Sequence, residues 1–502
     1  MFSWRRKNND THDELLSQIK EVNQKLEQVI EENKRLQVSV RTLQDQIKTK
    51  DYQLTELYRK NKVFNGLLLS DEQSAAVDLL EYTDKCYFIT GKAGTGKSTI
   101  LKYFVKNTRK KVVALAPTGI AANIIEGRTI HSFFGLSPSL QDVNDPEAVH
   151  HGINAEPKLI EELDAIIIDE ASMVRADVMD MIDQKLRIAK NNDSPYGGVQ
   201  MILFGDLFQL APVVKGKEGP IIQNRYHTPF FFGAPSVNKT FVVCGLTQVF
   251  RQTDGSFIKL LNKIRIGAVS QAELDDLYQY CGNNSTGNQD DMFIVPTNSR
   301  VDKINNNRLS LLPSEEYTYH ATVEGDASEE DTPTTEKITL KVGATVMMLC
   351  NDANKNFING TLAKVYELSD DVIRVQIPCV GIISVDPYTW KKYQYVYNVE
   401  EDIIETQQTG SFTQYPLKLA YAITVHKSQG QTFERATIDY KTTGAFAPGQ
   451  TYVALSRCRR LEDIHLAAPL YVQDIIVSHE AMDYMKNNAV SVLEYAKKNL
   501  TF

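Results

Sequence analysis

The chain has 502 residues, of which 42% are hydrophobic, and this combination is typical of a globular protein with several domains. Its formal net charge of −8 speaks against a simple nucleic-acid-binding protein, although a basic groove within an acidic surface is compatible with it. There is no apolar run of about eighteen residues and no apolar core of a secretory signal, and the six scattered cysteines include no C-x-x-C pair. The sequence therefore predicts a cytoplasmic protein without a membrane segment, zinc ribbon or disulfide framework.

Residues 12–60 form the first predicted element, a long polar helix with a heptad repeat of apolar residues. About six heptads keep their register without proline or glycine, with Val or Ile prominent at one core position and Leu at the other. Asn33 lies in this seam, where it would pair with its counterpart across a dimer. The pattern predicts a coiled-coil homodimer. A single amphipathic helix that docks on the body of the chain or on a partner protein is the alternative.

From about residue 64, short apolar runs alternate with helical patterns. The runs "CYFIT", "VVALAP", "AIIIDE" and "QMILFGD" predict parallel strands covered by helices on both faces. "FVVCGL" (241–246) and "MFIVPTN" (292–298) suggest a second sheet of the same kind. An acidic, turn-rich loop follows at 324–336, and beyond it an Asn-Gly turn at 359–360 and the run "DVIRVQI" predict a small inserted antiparallel barrel.

A phosphate-binding loop is the strongest local signal. Residues 91–98 match G-x-x-x-x-G-K-S between an apolar strand and a helix, so Lys97 would reach the β- and γ-phosphates and Ser98 would ligate magnesium. In "AIIIDEAS", Asp169 would hold Mg²⁺ through water and Glu170 would polarise the attacking water. A turn that binds nothing and an acidic pair that only caps a helix are the alternatives. The loop residues predicted to contact ATP are Gly91, Ala93, Gly94, Thr95, Gly96, Lys97, Ser98 and Thr99.

Further segments occur in a fixed order along the chain: "LSDEQSAAVD", "APTGIAANIIEGRTIHSFFGL", "IIIDEASMV", "GDLFQLAPV", "LTQVFRQTDGSFIKLLNKIRIG", "KLAYAITVHKSQGQTFERATID" and "TYVALSRCRRLEDI". Together they closely resemble the ordered motifs of Pif-type helicases, the RecD-like branch of superfamily 1, over roughly residues 64–470. The resemblance implies an ATP-dependent DNA helicase that moves 5′-to-3′ on single-stranded DNA. It also implies that the helicase unwinds tailed or forked duplexes in DNA repair, recombination, replication or telomere maintenance.

The same resemblance implies an α/β fold with two RecA-like parallel-sheet domains and an inserted SH3-like β-barrel. The coiled-coil helix that the heptad repeat predicts would precede them. We therefore expect the following divisions: a coiled-coil segment at 1–62; a first RecA-like domain at 63–230 with a wedge-like insertion at about 135–160; a second RecA-like domain at 231–335; the barrel at 336–415; and the remainder of the second domain with the carboxy-terminal helices at 416–502.

Several residues gain a role by resemblance. Gln73 would read adenine, Gln209 would sense the γ-phosphate, and Arg251 and Arg457 would be arginine fingers supplied by the second α/β unit. Gly430 would lie at a position that responds to the state of the bound nucleotide. Gln73 could instead lie on a helix surface, and either arginine could form an ordinary ion pair.

The resemblance also implies a DNA track shared by the two α/β units. Hydroxyl and amide groups suit phosphate contacts, and aromatic rings suit base contacts. Each polar residue could instead cap a turn or helix, and the phenylalanine could belong to the core. The residues expected near the strand are Thr118, His131, Phe134, Thr297, Asn298, Thr424, His426 and Lys427.

Two other functions stay open at this stage. One is a RecD-like translocase subunit of a larger complex, recruited through the coil. The other is a coiled-coil P-loop switch ATPase that never moves on DNA, which the two arginine fingers and the paired groove motifs disfavour. RNA is a further possible track, because stacking and phosphate contacts do not by themselves require deoxyribose. The compact architecture suggests a bacterial or phage origin.

Overall fold

The computed structural model describes residues 67–500 apart from short gaps, together with a few earlier positions. The predicted coil at 12–60 lies almost entirely outside the described residues, and so does the Asn-Gly turn at 359–360. Positions described within the coil, such as Leu36 and Val40, are helical and exposed, and the coil and its dimer stay predictions. The residues left undescribed are 1–24, 26–34, 38, 41, 43–62, 65–66, 138, 151, 215, 239, 252–253, 283–291, 330–331, 353–355, 358–360, 379, 399–402 and 501–502.

Strands and helices alternate through most of the described chain. The strands are β1 Val63–Phe64, β2 Leu67–Leu68, β3 Cys86–Gly91, β4 Val112–Ala116, β5 Arg128–Thr129, β6 Ala165–Ile168, β7 Gln200–Gly205, β8 Phe241–Leu246, β9 Met292–Val295, β10 Glu316–His320, β11 Thr322–Gly325, β12 Lys337–Lys341, β13 Thr345–Met348, β14 Leu362–Leu368, β15 Ile373–Ile377, β16 Gly381–Val385, β17 Tyr388–Asn398, β18 Ile403–Gln414, β19 Leu417–Leu419, β20 Ala422–Thr424, β21 Ala436–Ile438, β22 Ile464–Leu466 and β23 Ala489–Ser491. The α-helices are α1 Asp71–Tyr82, α2 Lys97–Asn107, α3 Gly119–Ile124, α4 Ile130–Phe134, α5 Pro146–His150, α6 Pro157–Glu162, α7 Ala176–Ala189, α8 Gly219–Tyr226, α9 Gly255–Arg265, α10 Gln271–Gly282, α11 Asn298–Ser310, α12 Val425–Ser428, α13 Gln450–Leu455, α14 His479–Asn488 and α15 Val492–Asn499.

A seven-stranded parallel sheet forms the first α/β layer, in the order β23-β8-β3-β7-β6-β4-β5. Its central strands β3, β6 and β7 are buried along their whole length, because helices cover both faces and the strands carry continuous apolar runs. The predicted parallel sheet is thereby confirmed. Strand β8 pairs with β3 in this sheet, so the assignment of residues 241–246 to a second sheet was wrong.

The second parallel sheet has four strands in the order β20-β9-β21-β22. Its core draws on α9 and α10, which precede β9, and on α13, which lies between β21 and β22. The chain leaves the first sheet after β8 and builds this second layer. It then returns, because β23 pairs with β8 at the edge of the first sheet.

The returning segment is anchored on the first layer by side chains as well as by its strand. The ring of Tyr484 in α14 stacks on Phe232 with a centroid distance of 4.1 Å. The hydroxyl of Thr228 donates to the Glu480 carboxylate at 2.6 Å. The carboxy-terminal helices therefore pack on the first sheet, although the chain reaches them from the second.

Between the two passes through the second layer lies an antiparallel sheet of five strands, in the order β16-β15-β14-β13-β19. Its core is a separate cluster that includes Leu340, Val346, Val375 and Leu417. Strands β17 and β18 form a long hairpin beside β11. The closed SH3-like barrel stays a prediction. Within the described residues, no helix is long and apolar enough to cross a membrane.

Candidate active site

The loop between β3 and α2 adopts the shape that the glycine pattern predicts. Gly94 and Gly96 have φ values of 83° and 81°, in the left-handed region that favours glycine. A side chain at Gly96 would collide with the amide of Gln73, so this glutamine packs directly against the loop and is buried. The ammonium of Lys97 donates to the carbonyls of Gly91 at 2.7 Å and Lys92 at 3.1 Å. The lysine is thereby held inside the loop that it would use to contact phosphates.

The acidic pair follows β6 at the carboxyl edge of the same sheet. The Asp169 carboxylate accepts a hydrogen bond from the Glu170 amide at 2.9 Å, and Glu170 has a φ of 50°. Burial, and next the charge of Glu170, raise the pKa of Asp169 to about 7. Burial lowers the pKa of Lys97, and nearby carboxylates, including Glu170 and Asp169, oppose that shift. The two motifs therefore share one electrostatic environment.

Gln429, from the second layer, links the acidic pair to the predicted γ-phosphate sensor. Its side-chain amide donates to Glu170 at 2.8 Å and to the side-chain oxygen of Gln209 at 3.3 Å. Gln429 and Gln209 are both buried. Gly430 follows directly, with no side chain between it and the Glu170 carboxylate. The group that would activate water thus contacts residues from both sheets.

Arg251 and Arg457 both border the same cavity as the phosphate loop. Arg457 is 1% exposed, and its guanidinium donates to the carbonyls of Val453 at 2.7 Å, Ser428 at 3.1 Å and Gln431 at 3.2 Å. Burial, and next the charge of Arg251, lower the pKa of Arg457 to about 9. Two cations therefore border one cavity, an arrangement that favours an anion there.

One cavity of about 1060 Å³ brings most of these predicted nucleotide residues together. Cations, a hydroxyl-rich loop and a carboxylate pair on its walls can bind a triphosphate and activate water. Gln73 lies against the loop, as described above. The predicted residues that border the cavity are Ala93, Gly94, Thr95, Gly96, Lys97, Ser98, Thr99, Asp169, Glu170, Gln209, Arg251, Gly430 and Arg457.

Two further cavities contain most of the predicted DNA residues that the sheets bring together. One, of about 730 Å³, is bordered by Thr118, His426 and Lys427. The other, of about 520 Å³, is bordered by Asn298, Thr424 and Lys427. Lys427 is exposed and belongs to both cavities. The larger one also reaches the acidic pair and Ser98, so it adjoins the nucleotide cavity.

Three of the predicted DNA residues lie in or next to short caps and helices of the fold: Thr297 and His131, which border neither cavity, and Thr424, which borders the smaller one. Thr297 caps α11, because its hydroxyl accepts from the Arg300 amide at 3.4 Å, and Thr424 caps α12 in the same way. His131 lies in α4, where burial lowers its pKa, but Thr129 is the residue that caps this helix.

Phe134 also lies in α4, but its side chain cannot reach a base. It is 0% exposed and packs edge-on against Phe133 at a centroid distance of 5.0 Å in the core of the first layer. The prediction that Phe134 contacts DNA is therefore not retained.

Sequence reasoning missed a contact between the phosphate loop and the second layer. The hydroxyl of Tyr452 in α13 accepts a hydrogen bond from the Ala93 amide at 3.0 Å. Nearby, Arg265 pairs with the buried Asp206 at 2.7 Å and lies over the ring of Phe208 at 3.9 Å. Tyr452 and Arg265 both occur within the motifs quoted above. Only their contacts in the structure, with Ala93 and Asp206 respectively, show that they lie near the nucleotide cavity.

Comparison with known proteins gives a consistent picture. Residues 68–275 match the model of the PIF1-like helicase family. The chain is 31% identical over 462 residues to the ATP-dependent DNA helicase Pif1 of Psychrobacter sp. (strain PRwf-1), an alignment that covers 79% of this chain and 67% of that protein. It spans 61% of the length of the Danio rerio ATP-dependent DNA helicase PIF1, to which it is 32% identical over 419 residues that cover 79% of this chain.

Solved structures resemble it over most of its length. The crystal structure of Bacteroides sp Pif1 in complex with ADP-AlF4 is 39% identical, with a TM-score of 0.77, and the match covers 84% of this chain and 97% of that one. A crystal structure of Bacteroides Pif1 bound to ssDNA is also 39% identical and gives a TM-score of 0.62 at the same coverage.

Proposed function

This chain belongs to the PIF1-like helicase family and is an ATP-dependent DNA helicase, and we propose that it moves 5′-to-3′ along single-stranded DNA and unwinds tailed or forked duplexes. The observation that carries the proposal is the cavity in which the phosphate loop and acidic pair face Arg251 and Arg457. Arg457 follows α13, whose residues belong to the core of the second layer. ATP binding would therefore draw the two layers together, and hydrolysis would let them part.

Each predicted nucleotide residue has a chemical task in this scheme. Lys97 would move from the loop carbonyls to the phosphates, and Glu170, oriented by Gln429, would accept a proton from water. The two arginines would offset the charge that develops on the transferred phosphoryl group. Gln209 would report the γ-phosphate to the same network, and Gln73 would bind the adenine edge.

The cavity walls also fit a magnesium ion. Ser98 and Asp169 border the same space, and the raised pKa of Asp169 reflects a buried carboxylate next to a second one. A divalent cation between them and the phosphates would relieve this repulsion, with hydroxyl and carboxylate oxygens as suitable ligands. Bound there, it would neutralise charge on the phosphates. The protein's own contribution is to fix the hydroxyl and the carboxylate at the mouth of the loop.

The DNA track of this proposal runs through the two smaller cavities. Thr118 from the first layer and Asn298, His426 and Lys427 from the second border them, so both layers would hold the strand. Support comes from the Bacteroides relative described as bound to ssDNA. His131, Thr297 and Thr424 remain in the proposed set.

We keep the predicted domain organisation as part of this proposal, apart from β8 and the carboxy-terminal segment, which join the first sheet. The insertion at about 135–160 would act as the wedge. Strands β13 to β16, within the predicted bounds of 336–415, would form the SH3-like barrel that covers the track, together with β19, which lies just beyond those bounds. The segment at 12–60 would recruit a second copy or a partner protein.

Strand separation on matched duplexes tests the proposed function. The duplexes carry a 5′ DNA tail, a 3′ DNA tail or a 5′ RNA tail, and the control is Lys97→Ala, which lacks the phosphate-binding ammonium. We expect ATP-dependent unwinding of the 5′ DNA-tailed substrate alone, and none by the control. Unwinding from the 3′ tail would overturn the polarity. Absence of both unwinding and DNA-stimulated ATP hydrolysis would overturn the function.

A further inference from the structure

Lys418 lies in a strand to which sequence reasoning assigned no role. Strand β19 pairs antiparallel with β13, and Met347 stands opposite Lys418. Leu417 and Leu419, on either side, pack into the core of the antiparallel sheet. Because successive side chains of a strand point to opposite faces, the lysine side chain leaves that core on the other face.

That other face opens onto the proposed DNA track. Lys418 borders both the cavity of about 730 Å³ and the cavity of about 520 Å³. Within the described part of the chain, only Thr335, Lys418 and Lys427 border both. Lys418 therefore lies where a ligand that occupies the two cavities would pass from one to the other.

The charge at this position is not balanced by the protein. The ammonium of Lys418 makes no hydrogen bond or ion pair to any other described residue. Burial, and next the charge of Lys427, lower the pKa of Lys418 to about 8. The nearby carboxylate of Glu329 accepts from the Glu336 amide at 2.9 Å and so is held by its own loop.

A second polar group in the larger cavity also lacks a partner. The hydroxyl of Thr334, in the acidic loop, makes no hydrogen bond to the described residues, and this side chain is 4% exposed. Leaving a half-buried ammonium and a buried hydroxyl without partners costs free energy unless a ligand satisfies them. An anion with several acceptor oxygens would satisfy both groups and relieve the repulsion between the two lysines.

We propose that Lys418, Lys427 and Thr334 form a phosphodiester-binding position at which the DNA backbone passes from one cavity to the other. The inference rests on the proposed function, because it assumes that the strand runs through these cavities. Lys418 then contributes to DNA binding as a direct phosphate contact. Through Lys418 the antiparallel sheet would also contact the DNA strand, in addition to the contacts that the two parallel layers make.

The salt dependence of single-strand binding by the full chain tests this position. Each phosphate neutralised on a single strand contributes about 0.7 to the slope of log K against log salt concentration. Lys418→Gln is therefore expected to lower the slope by about 0.7 and the affinity by about tenfold at low salt. Lys418→Arg is expected to retain the slope. Lys364→Gln is the matched control, because it removes the same charge from an exposed position in the same sheet.

The pH dependence provides a second readout. A bound phosphate favours the charged ammonium, so wild-type affinity is expected to fall as pH rises through about 8, and this decline is expected to be weaker in Lys418→Gln. The other groups bordering the cavities are identical in both proteins, so the difference between them isolates Lys418. Those titratable groups are Asp169, Glu170, Asp302, Glu316, Glu329, Lys337, His426 and Lys427.

The outcomes separate this inference from the proposed function. An unchanged slope in Lys418→Gln, or an equal change in Lys364→Gln, would overturn the phosphate contact while DNA binding by the wild type still stands. Failure of the wild type itself to bind single-stranded DNA would overturn the proposed function instead. Thr334→Val is expected to weaken binding without altering the slope, because it removes a donor and no charge.

Discussion

Tyr452→Phe tests how the second layer contacts the phosphate loop. The hydroxyl of Tyr452 accepts from the Ala93 amide at 3.0 Å, and the ring is 4% exposed within the core that α13 helps to build. Phenylalanine keeps the ring and removes only the acceptor. The change therefore frees one backbone amide of the loop whose amides we propose to bind the phosphates.

Whether ATP affinity rises or falls depends on whether the free or the nucleotide-bound protein loses the hydrogen bond. If the nucleotide takes over the Ala93 amide, only the free protein is weakened by the substitution, by about 1 kcal/mol for a neutral hydrogen bond. ATP should then bind about fivefold more tightly to Tyr452→Phe than to the wild type. The measurement is a calorimetric titration with a non-hydrolysable ATP analogue.

Tyr421→Phe is the matched control. The hydroxyl of Tyr421 accepts from the Thr345 amide at 2.9 Å and is similarly buried, but it lies away from the nucleotide cavity. It should lose about 1 kcal/mol of stability and leave nucleotide affinity unchanged. Unchanged or weaker affinity in Tyr452→Phe would refute the reasoning, since the hydroxyl would then not compete with the phosphates.

Three further substitutions address the cavity and the core. Lys97→Ala should abolish ATP hydrolysis and largely retain single-strand binding, as measured by a phosphate-release assay and by fluorescence anisotropy. Gln429→Ala removes the 2.8 Å hydrogen bond to Glu170, so kcat of the DNA-stimulated ATPase should fall about tenfold or more with little change in nucleotide affinity; an unchanged kcat would contradict an orienting role. Phe134→Leu should cost about 1 kcal/mol in the free energy of unfolding and leave DNA affinity unchanged, whereas a selective loss of DNA affinity would restore the base contact.

The local structure of the phosphate loop and the acidic pair could be predicted because each motif occupies one contiguous stretch of sequence. The loop at 91–98 needs glycines at fixed positions, and left-handed φ values at Gly94 and Gly96 bear this out. The acidic pair follows a fully buried strand, so both groups lie at the carboxyl edge of one sheet. Neither inference required knowledge of which strands are neighbours.

The errors and omissions concern which strands pair with each other and which way individual side chains point. A single sequence specifies neither. An apolar run such as 241–246 has the same pattern in either sheet, and only its hydrogen bonds to β3 assign it. Phe134 could face the core or the strand from the same helix, and packing against Phe133 decides this. Lys418 stands between two leucines, so its sequence context indicates only a strand. The register of β19 on β13 is what shows that the lysine lies on the face next to the cavities.

The route of the chain between the two layers has a mechanical consequence. The chain leaves the first layer after Leu246, forms the second layer, and returns to the first at His479. Two covalent connections therefore join the layers instead of one. Two connections restrict the second layer more than one would. Rotation about the line through both connections leaves each of them in place, whereas rotation about another axis would have to displace at least one. Each cycle of ATP binding and release would therefore be channelled into one opening motion, and a protease cut in a single connection would leave the two layers joined by the other.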